Sequence, residues 1–491
     1  MTHRPSSSVP ASGPSTDRAI LRLAVPSIVS NITVPLLGLV DLAIVGHLQA
    51  PGGSGRYIAA IAVGTMIFNV MYWLFGFLRM GTSGLTAQAL GRGDWAGVGL
   101  LLRRSVRTAL AIAACFVVLQ WPLGWLALTL IHPSAQVWPL AGRYFDIVIW
   151  GAPAMLTLYS LNGWFVGMQT TRVPMQVALF QNVVNIVASV AFVFGLGLRI
   201  EGVALGTLVA QWSGVGLAAW HARRMWRSAA AAHGMAAAPR DCVSGPHGAS
   251  AAVEPAHGAR PSFFRVNRDI FLRTLCLVAV NLFFTSAGAR QGDMVLAVNT
   301  LLMTFFTLFS YVMDGFAFAG EALGGRLYGA GDGAGLRRLV RRLFVWGAGM
   351  MAVFTAVYAL GGTGFLGLLT SDGAVVQAAA AYLPWACLVP VAGMAAFVYD
   401  GIFIGLAATR GMLVSSVAAT AAFFAVFAGG GAVLAGGGAG VFPAAKAATS
   451  ASSPMLNHFL WLAFLVYLAA RGLLQHLIFR HHRSLRRQRV G

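Results

Sequence analysis

Asp41 is the first residue from which chemistry is expected. It lies in RAILRLAVPSIVSNITVPLLGLVDLAIVGHL, residues 18–48, an apolar run long enough to cross a bilayer. A carboxylate near the centre of such a helix costs about 2.5–3.5 kcal/mol and less toward its end, so it turns toward protein or water. Pro26 and Pro35 interrupt the same run. Proline removes a backbone donor and bends a helix, which lipid tolerates only where neighbours satisfy the freed carbonyls. A bent helix with an inward acid suits a moving part that carries a proton or a cation. The same acid could instead sit near the interface, satisfied by a neighbour and purely structural.

The chain has 14 acids, and three more of them, Asp314, Glu321 and Asp400, lie within or at the ends of apolar segments. Asp314 and Glu321 are seven residues apart and so share a helix face. They are candidate cation or proton sites. For Glu321 and Asp400 the alternative is pairing with a loop arginine such as Arg326 or Arg410. Asn182, Asn185 and Ser189 follow i, i+3, i+7 spacing on one face of the fifth apolar segment. They could complete a site with Asp41, or only hydrogen-bond between helices. Trp164, Met168, Gln169, Met175 and Phe180 could line a pocket for an apolar cation, although such residues at helical spacing commonly just pack.

The elements that must position these groups are membrane helices. The chain is 58% hydrophobic and 10% charged, against about 25% charged in a soluble domain. Twelve apolar segments follow one another, at about 18–46, 57–79, 105–131, 138–160, 173–197, 202–225, 269–289, 293–320, 339–369, 376–404, 409–435 and 455–479. Residues 1–17 are polar and Ser/Pro-rich without a signal-peptide pattern, so the first helix is expected to insert uncleaved. Cys115, Cys242, Cys276 and Cys387 show no CxxC or metal spacing. The three in apolar segments read as small core residues.

Charge tests the count. With a cytoplasmic N-terminus, 29 of the 34 basic residues fall on the cytoplasmic side and 5 outside, as the positive-inside rule requires. Both termini are then expected to be cytoplasmic. The net charge of +20 is explained by loops that face anionic lipid, so nucleic acid is not an expected partner.

An internal repeat runs through the chain. Gly91-Arg92-Gly93-Asp94 and Gly329-Ala330-Gly331-Asp332 are 238 residues apart, and the same offset relates Arg103-Arg104 to Arg341-Arg342, Tyr144 to Tyr382, Gly163 to Gly401, and Gly167 to Gly405. Six helices per half give parallel repeats, with a pathway between them. The fold class is therefore all-α and polytopic: twelve transmembrane helices in two six-helix bundles. The expected layout is a disordered N-terminus (1–17), a first bundle (18–225), a cytoplasmic linker (226–268), a second bundle (269–480) and a basic tail (481–491). The linker is rich in Ala, Gly, Pro and Ser and cannot build a core. Its scattered His233, His247 and His257 lack partners at ligand spacing, and no metal or other cofactor is expected beyond a coupling H⁺ or Na⁺.

Taken together, VPSIVSNITVPLLGLVDLAIVGHL, FLRMGTSGLTAQALGRGD, YVMDGFAFAGEALGGRLYGAGD and VYDGIFIG resemble the multidrug and toxic compound extrusion (MATE) transporters, closest in pattern to the DinF-like bacterial branch. The resemblance covers nearly all of 18–480. It implies a V-shaped cavity between two bundles and antiport of small organic, often cationic, compounds against H⁺ or Na⁺. In this branch it implies Asp41 as the coupling residue and Pro26 as the bending point. Relatives of this kind often read Asn-x-x-x-Asp in the fifth helix, where this chain has Asn185 and Ser189. One acid in place of two holds a hard cation less well, which favours H⁺. A Na⁺-coupled exporter that uses the second-half acids is the alternative. A lipid-linked substrate flippase is another, and it would need a strongly cationic central cavity. The chain has no convincing intramembrane Ser/His pair, no HExxH and no Walker-type GxxxxGK[ST], so it is not expected to be an enzyme. Its partners should be a small organic substrate and membrane lipids, and it is expected to act as a monomer.

Overall fold

The computed structural model describes residues 15–46, 55–233, 262–434 and 454–488, and these are helical without strands. The first half contains α1 (Thr16–Gly46), α2 (Gly55–Leu74), α3 (Phe77–Gly91), α4 (Trp95–Val118), α5 (Gln120–Ile131), α6 (Trp138–Val148), α7 (Ala152–Gly167), α8 (Arg172–Val190) and α9 (Ile200–Ala232). The second half contains α10 (Phe263–Arg290), α11 (Asp293–Gly329), α12 (Gly333–Leu369), α13 (Gly373–Gly405), α14 (Thr409–Leu434) and α15 (Pro454–Gln488).

Ten helical stretches among the described residues are long and apolar enough to cross a membrane, α2–α3 and α6–α7 each counting as one. The α4–α5 pair, bent by 73°, makes an eleventh. With α1, which is 31 residues long, the count reaches twelve. The bend has a local cause. Pro122 cannot donate to the carbonyl of Val118, so α4 stops there and the chain turns before α5.

Several expected boundaries move. The second apolar segment continues to Gly91 as α3, and α9 and α10 extend into the interval between the bundles from both sides. The rest of that interval, with His247 and His257, lies outside the described residues, as do residues 1–14. At the other end, α15 carries the helix to Gln488, past the expected start of the basic tail. Cys115 is exposed and not a core residue, Cys276 is half-buried, and Cys387 is half-buried and packs against the core. Cys242 lies outside the described residues.

The repeat recurs in the backbone. Gly93 and Gly331 take φ of 72° and 74°, and Gln169 and Ala407, 238 residues apart, both take positive φ. Asp94 and Asp332 cap α4 and α12 by accepting from the amides of Gly97 (2.8 Å) and Gly335 (2.7 Å).

α1 packs against α11 and α12, and α3 against α10, α11 and α13, which joins the bundles. The join is two-fold. A β-carbon at Gly91 would land on the carbonyl oxygen of Arg326, and one at Gly329 on that of Gln88. These pairs exchange under the 238-residue offset, so the axis runs between α3 and α11. Gly84 likewise lies on the carbonyl of Ile404, and Gly325 on the side chain of Ala87. Small residues permit such close helix contact in lipid. The side chains of Asn31, Gln88 and Gln169 then donate across the join to the carbonyls of Tyr311 (3.1 Å), Gly405 (2.8 Å) and Ala322 (2.7 Å). These contacts lie between the middle of the helices and the end that carries Arg18, Arg22 and Arg326. The two bundles are sealed at this arginine-rich end.

Because no flexible side chain separates the two backbones, Gly329→Leu should wedge the seal apart. We expect a lower unfolding temperature, equivalent to about 1–3 kcal/mol of overpacking, and a longer distance between spin labels at Ala96 and Ala334. Gly349→Leu, where a β-carbon meets open space, should change neither.

Candidate functional site

Asp41 sits in the last third of α1 and is only 7% exposed. Its Oδ1 is buried without a hydrogen-bond partner among the described residues. Tyr144 of α6 lies within electrostatic reach of Asp41 and beside the hydroxyls of Thr65 on α2 and Thr207 on α9. Asn185 is fully buried and donates to Thr207 Oγ1 at 3.1 Å, while its own Oδ1 and the Ser189 hydroxyl have no partner among the described residues. Ser189 packs on Gly206 of α9, where a β-carbon would collide with its hydroxyl. Asn182 instead donates to the Thr33 carbonyl of α1 at 3.1 Å.

The polar face of α8 therefore does two things. Asn182 holds α1, and Asn185 and Ser189 turn toward α9. No hydrogen bond among the described residues joins either to Asp41. The link runs through shared neighbours, Tyr144 and Thr207, which sequence reasoning missed as site residues. Tyr144 was visible only as a marker of the repeat, and Thr207 carried no signal.

α1 continues through Pro26. Around it, the hydroxyls of Ser27 (3.0 Å) and Thr171 (2.8 Å) both donate to the Leu23 carbonyl. The carbonyl that Pro26 itself leaves without a donor is that of Arg22, one residue earlier.

The second-half acids are not alike. Asp400 of α13 is buried and accepts from Arg273 Nη2 of α10, from Arg471 Nη2 of α15 (2.8 Å) and from Gln475 Nε2 (2.6 Å). Glu321 of α11 is 1% exposed and pairs with Arg79 Nη1 of α3 at 3.4 Å, across the join. The Arg79 guanidinium also lies 4.0 Å from the centre of the Phe318 ring. Arg326 and Arg410, expected in loops, lie in the last turn of α11 and the first turn of α14 and are not the partners. These roles fall to Arg79, Arg273 and Arg471, which lie inside helices. Asp314 is half-buried and makes no hydrogen bond or ion pair among the described residues. It lies within electrostatic reach of Arg79, Arg273, Asp400 and Arg471.

The proposed aromatic pocket does not assemble. Trp164 is fully buried and packs edge-on against Phe165, Phe180 is exposed, and Gln169 is committed to the join.

Removing one member of a buried ion cluster leaves the others uncompensated. Asp400→Asn should destabilise the protein by about 3–5 kcal/mol, read as a lower unfolding temperature in detergent. Asp314→Asn, which breaks no bond among the described residues, should cost far less.

The MatE family model matches residues 26–191 and 270–441. DNA damage-inducible protein F of Escherichia coli (strain K12) is 37% identical over 480 residues, spanning 95% of this chain and 93% of that one. A probable multidrug resistance protein NorM of Rhizobium meliloti (strain 1021) is 26% identical over 368 residues, 71% of each chain. Among solved structures, the outward-facing conformation of a multidrug resistance MATE family transporter of the MOP superfamily aligns with a TM-score of 0.77 at 18% identity, over 96% of both chains. Two family matches, one in each bundle, and a relative that spans almost the whole chain agree, and the chain belongs to the MATE family of membrane transporters.

Proposed function

We propose that this chain is a secondary antiporter of a bacterial inner membrane, with both termini cytoplasmic. It exports small organic, often cationic, compounds in exchange for H⁺, with Asp41 as the coupling group. The observation that carries this reading is the contrast among the intramembrane acids. Glu321 and Asp400 each have an arginine, although Glu321 Oε1 is itself unpartnered, whereas Asp41 is buried with an unpartnered oxygen and no ion pair among the described residues. A carboxylate in that position has two ways to be satisfied, a proton or a cation.

The cycle follows from that choice. With the arginine-rich end facing the cytoplasm, the bundles are closed on that side, and Asp41 lies in the half of α1 away from this seal. A proton that arrives from outside neutralises Asp41, weakens its hold on a bound cation and favours rearrangement of α1 about Pro26. The state open to the inside releases the proton, and the bare carboxylate attracts the next cation. Asn182 takes part by tying α1 to α8. Asn185 and Ser189 supply polar groups on the same side, through Tyr144 and Thr207. The inward flow of protons drives the exchange.

Asp314 supports a second reading, coupling through the second half, because it alone of the three second-half candidates makes no pair among the described residues. The flippase reading loses support. Three arginines do lie inside the bundles, but Glu321 neutralises Arg79, Asp400 lies between Arg273 and Arg471, and Asp314 is within reach of all three.

In proteoliposomes with an imposed pH gradient and no Na⁺, the wild type should move a fluorescent organic cation. Asp41→Asn should reduce this by about tenfold or more, the scale of a coupling free energy between sites. Asp314→Asn should leave most of it. Transport that requires Na⁺, survives Asp41→Asn and is lost in Asp314→Asn would shift the coupling site to the second half.

A further inference from the structure

A cavity of about 1310 Å³ opens at the arginine-rich end, away from the Asp41 group. Its wall is built from both bundles. Arg18 and Arg22 come from the first turns of α1, Arg172 from the start of α8, and Arg326 from the last turn of α11. All four are exposed, and none makes an ion pair among the described residues. The one acid in the wall, Asp17, is already engaged. It accepts from Trp346 Nε1 at 3.1 Å and lies 3.6 Å from Arg342. Four like charges thus line one concave space with a single carboxylate, Asp17, which Arg342 also claims. Topology alone would satisfy the positive-inside rule with arginines scattered over loops. It does not require four of them around one cavity.

Guanidinium groups recognise phosphate oxygens bidentately and keep their charge at every physiological pH. Basic pockets between helices on the cytoplasmic side of a membrane suit phosphate-bearing head groups. The cavity also depends on conformation. Gln169, in its wall, adopts φ of 65° and donates to the Ala322 carbonyl of α11 at 2.7 Å, which fastens the two sides together. When the bundles part at this end, α11 carries Arg326 away from Arg18, Arg22 and Arg172, and the site is dismantled.

We infer that this cavity is a phosphate-anion site that bridges the two bundles and holds the arginine-rich end closed. A phosphate that binds only the sealed state must shift the population toward it by its differential affinity. The inference is independent of the coupling ion and of Asp41. The phosphate could belong to a lipid headgroup or be free in solution, and the chemistry of the site is the same for both.

The test uses the full-length protein in neutral detergent, titrated separately with short-chain phosphatidylglycerol and with inorganic phosphate. The unfolding temperature of the wild type should rise with at least one of them. A rise with the lipid alone assigns a headgroup, and a rise with inorganic phosphate assigns a free anion. Arg22→Gln/Arg326→Gln should lose the rise, and Arg22→Lys/Arg326→Lys should keep part of it. Arg337→Gln/Arg338→Gln, which removes charges at the same end but outside the cavity, should keep it all. Spin labels at Ala96 and Ala334, in a chain whose four native cysteines are replaced by serine, should show a larger population at the short distance when the active ligand is added. No rise with either ligand, or an equal rise in Arg22→Gln/Arg326→Gln, would overturn the site. A rise without any gain in the short-distance population would overturn the bridging.

Discussion

A carboxylate removed from water needs a cation, a hydrogen-bond donor or a proton, and this requirement orders the interior of the protein. Asp400 draws two arginines and a glutamine from two other helices, and so ties α10, α13 and α15 into one unit. Glu321 meets its requirement with Arg79 and spends it on the contact between the bundles. Asp41 meets it with neither. Its surroundings offer a phenol and, one neighbour further on, hydroxyls and an amide, but no fixed cation among the described residues. Evolution of a structural acid tends to end in a pair. An acid kept buried beside neutral groups is the arrangement expected where charge must come and go.

The two-fold join has a related logic. Backbone meets backbone at Gly91 and Gly329, with little side-chain material between them. Such a contact is tight when made and has no partly made form, because interfaces of this kind are bistable and do not deform continuously. The Arg79–Glu321 pair also crosses between the bundles, from the opposite end of α3. When the seal opens, each member must find water or another partner. The polar cost of opening is then met by hydration, which only a water-filled cavity can supply.

The architecture was largely legible in the sequence. Hydropathy marks the spans, and the 238-residue offset marks the repeat down to the left-handed glycines and capping aspartates. Asp41 and Pro26 stood out because both are rare inside an apolar run. Tyr144 and Thr207 did not, since a tyrosine and a threonine in a membrane helix have many uses. The interior arginines were hidden for a different reason. Arg79, Arg273 and Arg471 fall within or at the end of the expected segments 57–79, 269–289 and 455–479, but each counts there only as cytoplasmic-side charge, which gives no sign of a buried partner. Their partners are far away in sequence, 127 and 71 residues for the Asp400 pairs and 242 for Glu321. The bend between α4 and α5 carried a sign, Pro122, that was lost within an otherwise continuous apolar segment.

The most direct test of the central claim needs no membrane. If Asp41 exchanges a proton for the substrate cation, then adding an organic cation to the purified protein in weakly buffered detergent should release protons, followed with a pH indicator. Release in the wild type that disappears in Asp41→Asn, at matched substrate binding, is the predicted result. Undiminished release from Asp41→Asn would contradict the account.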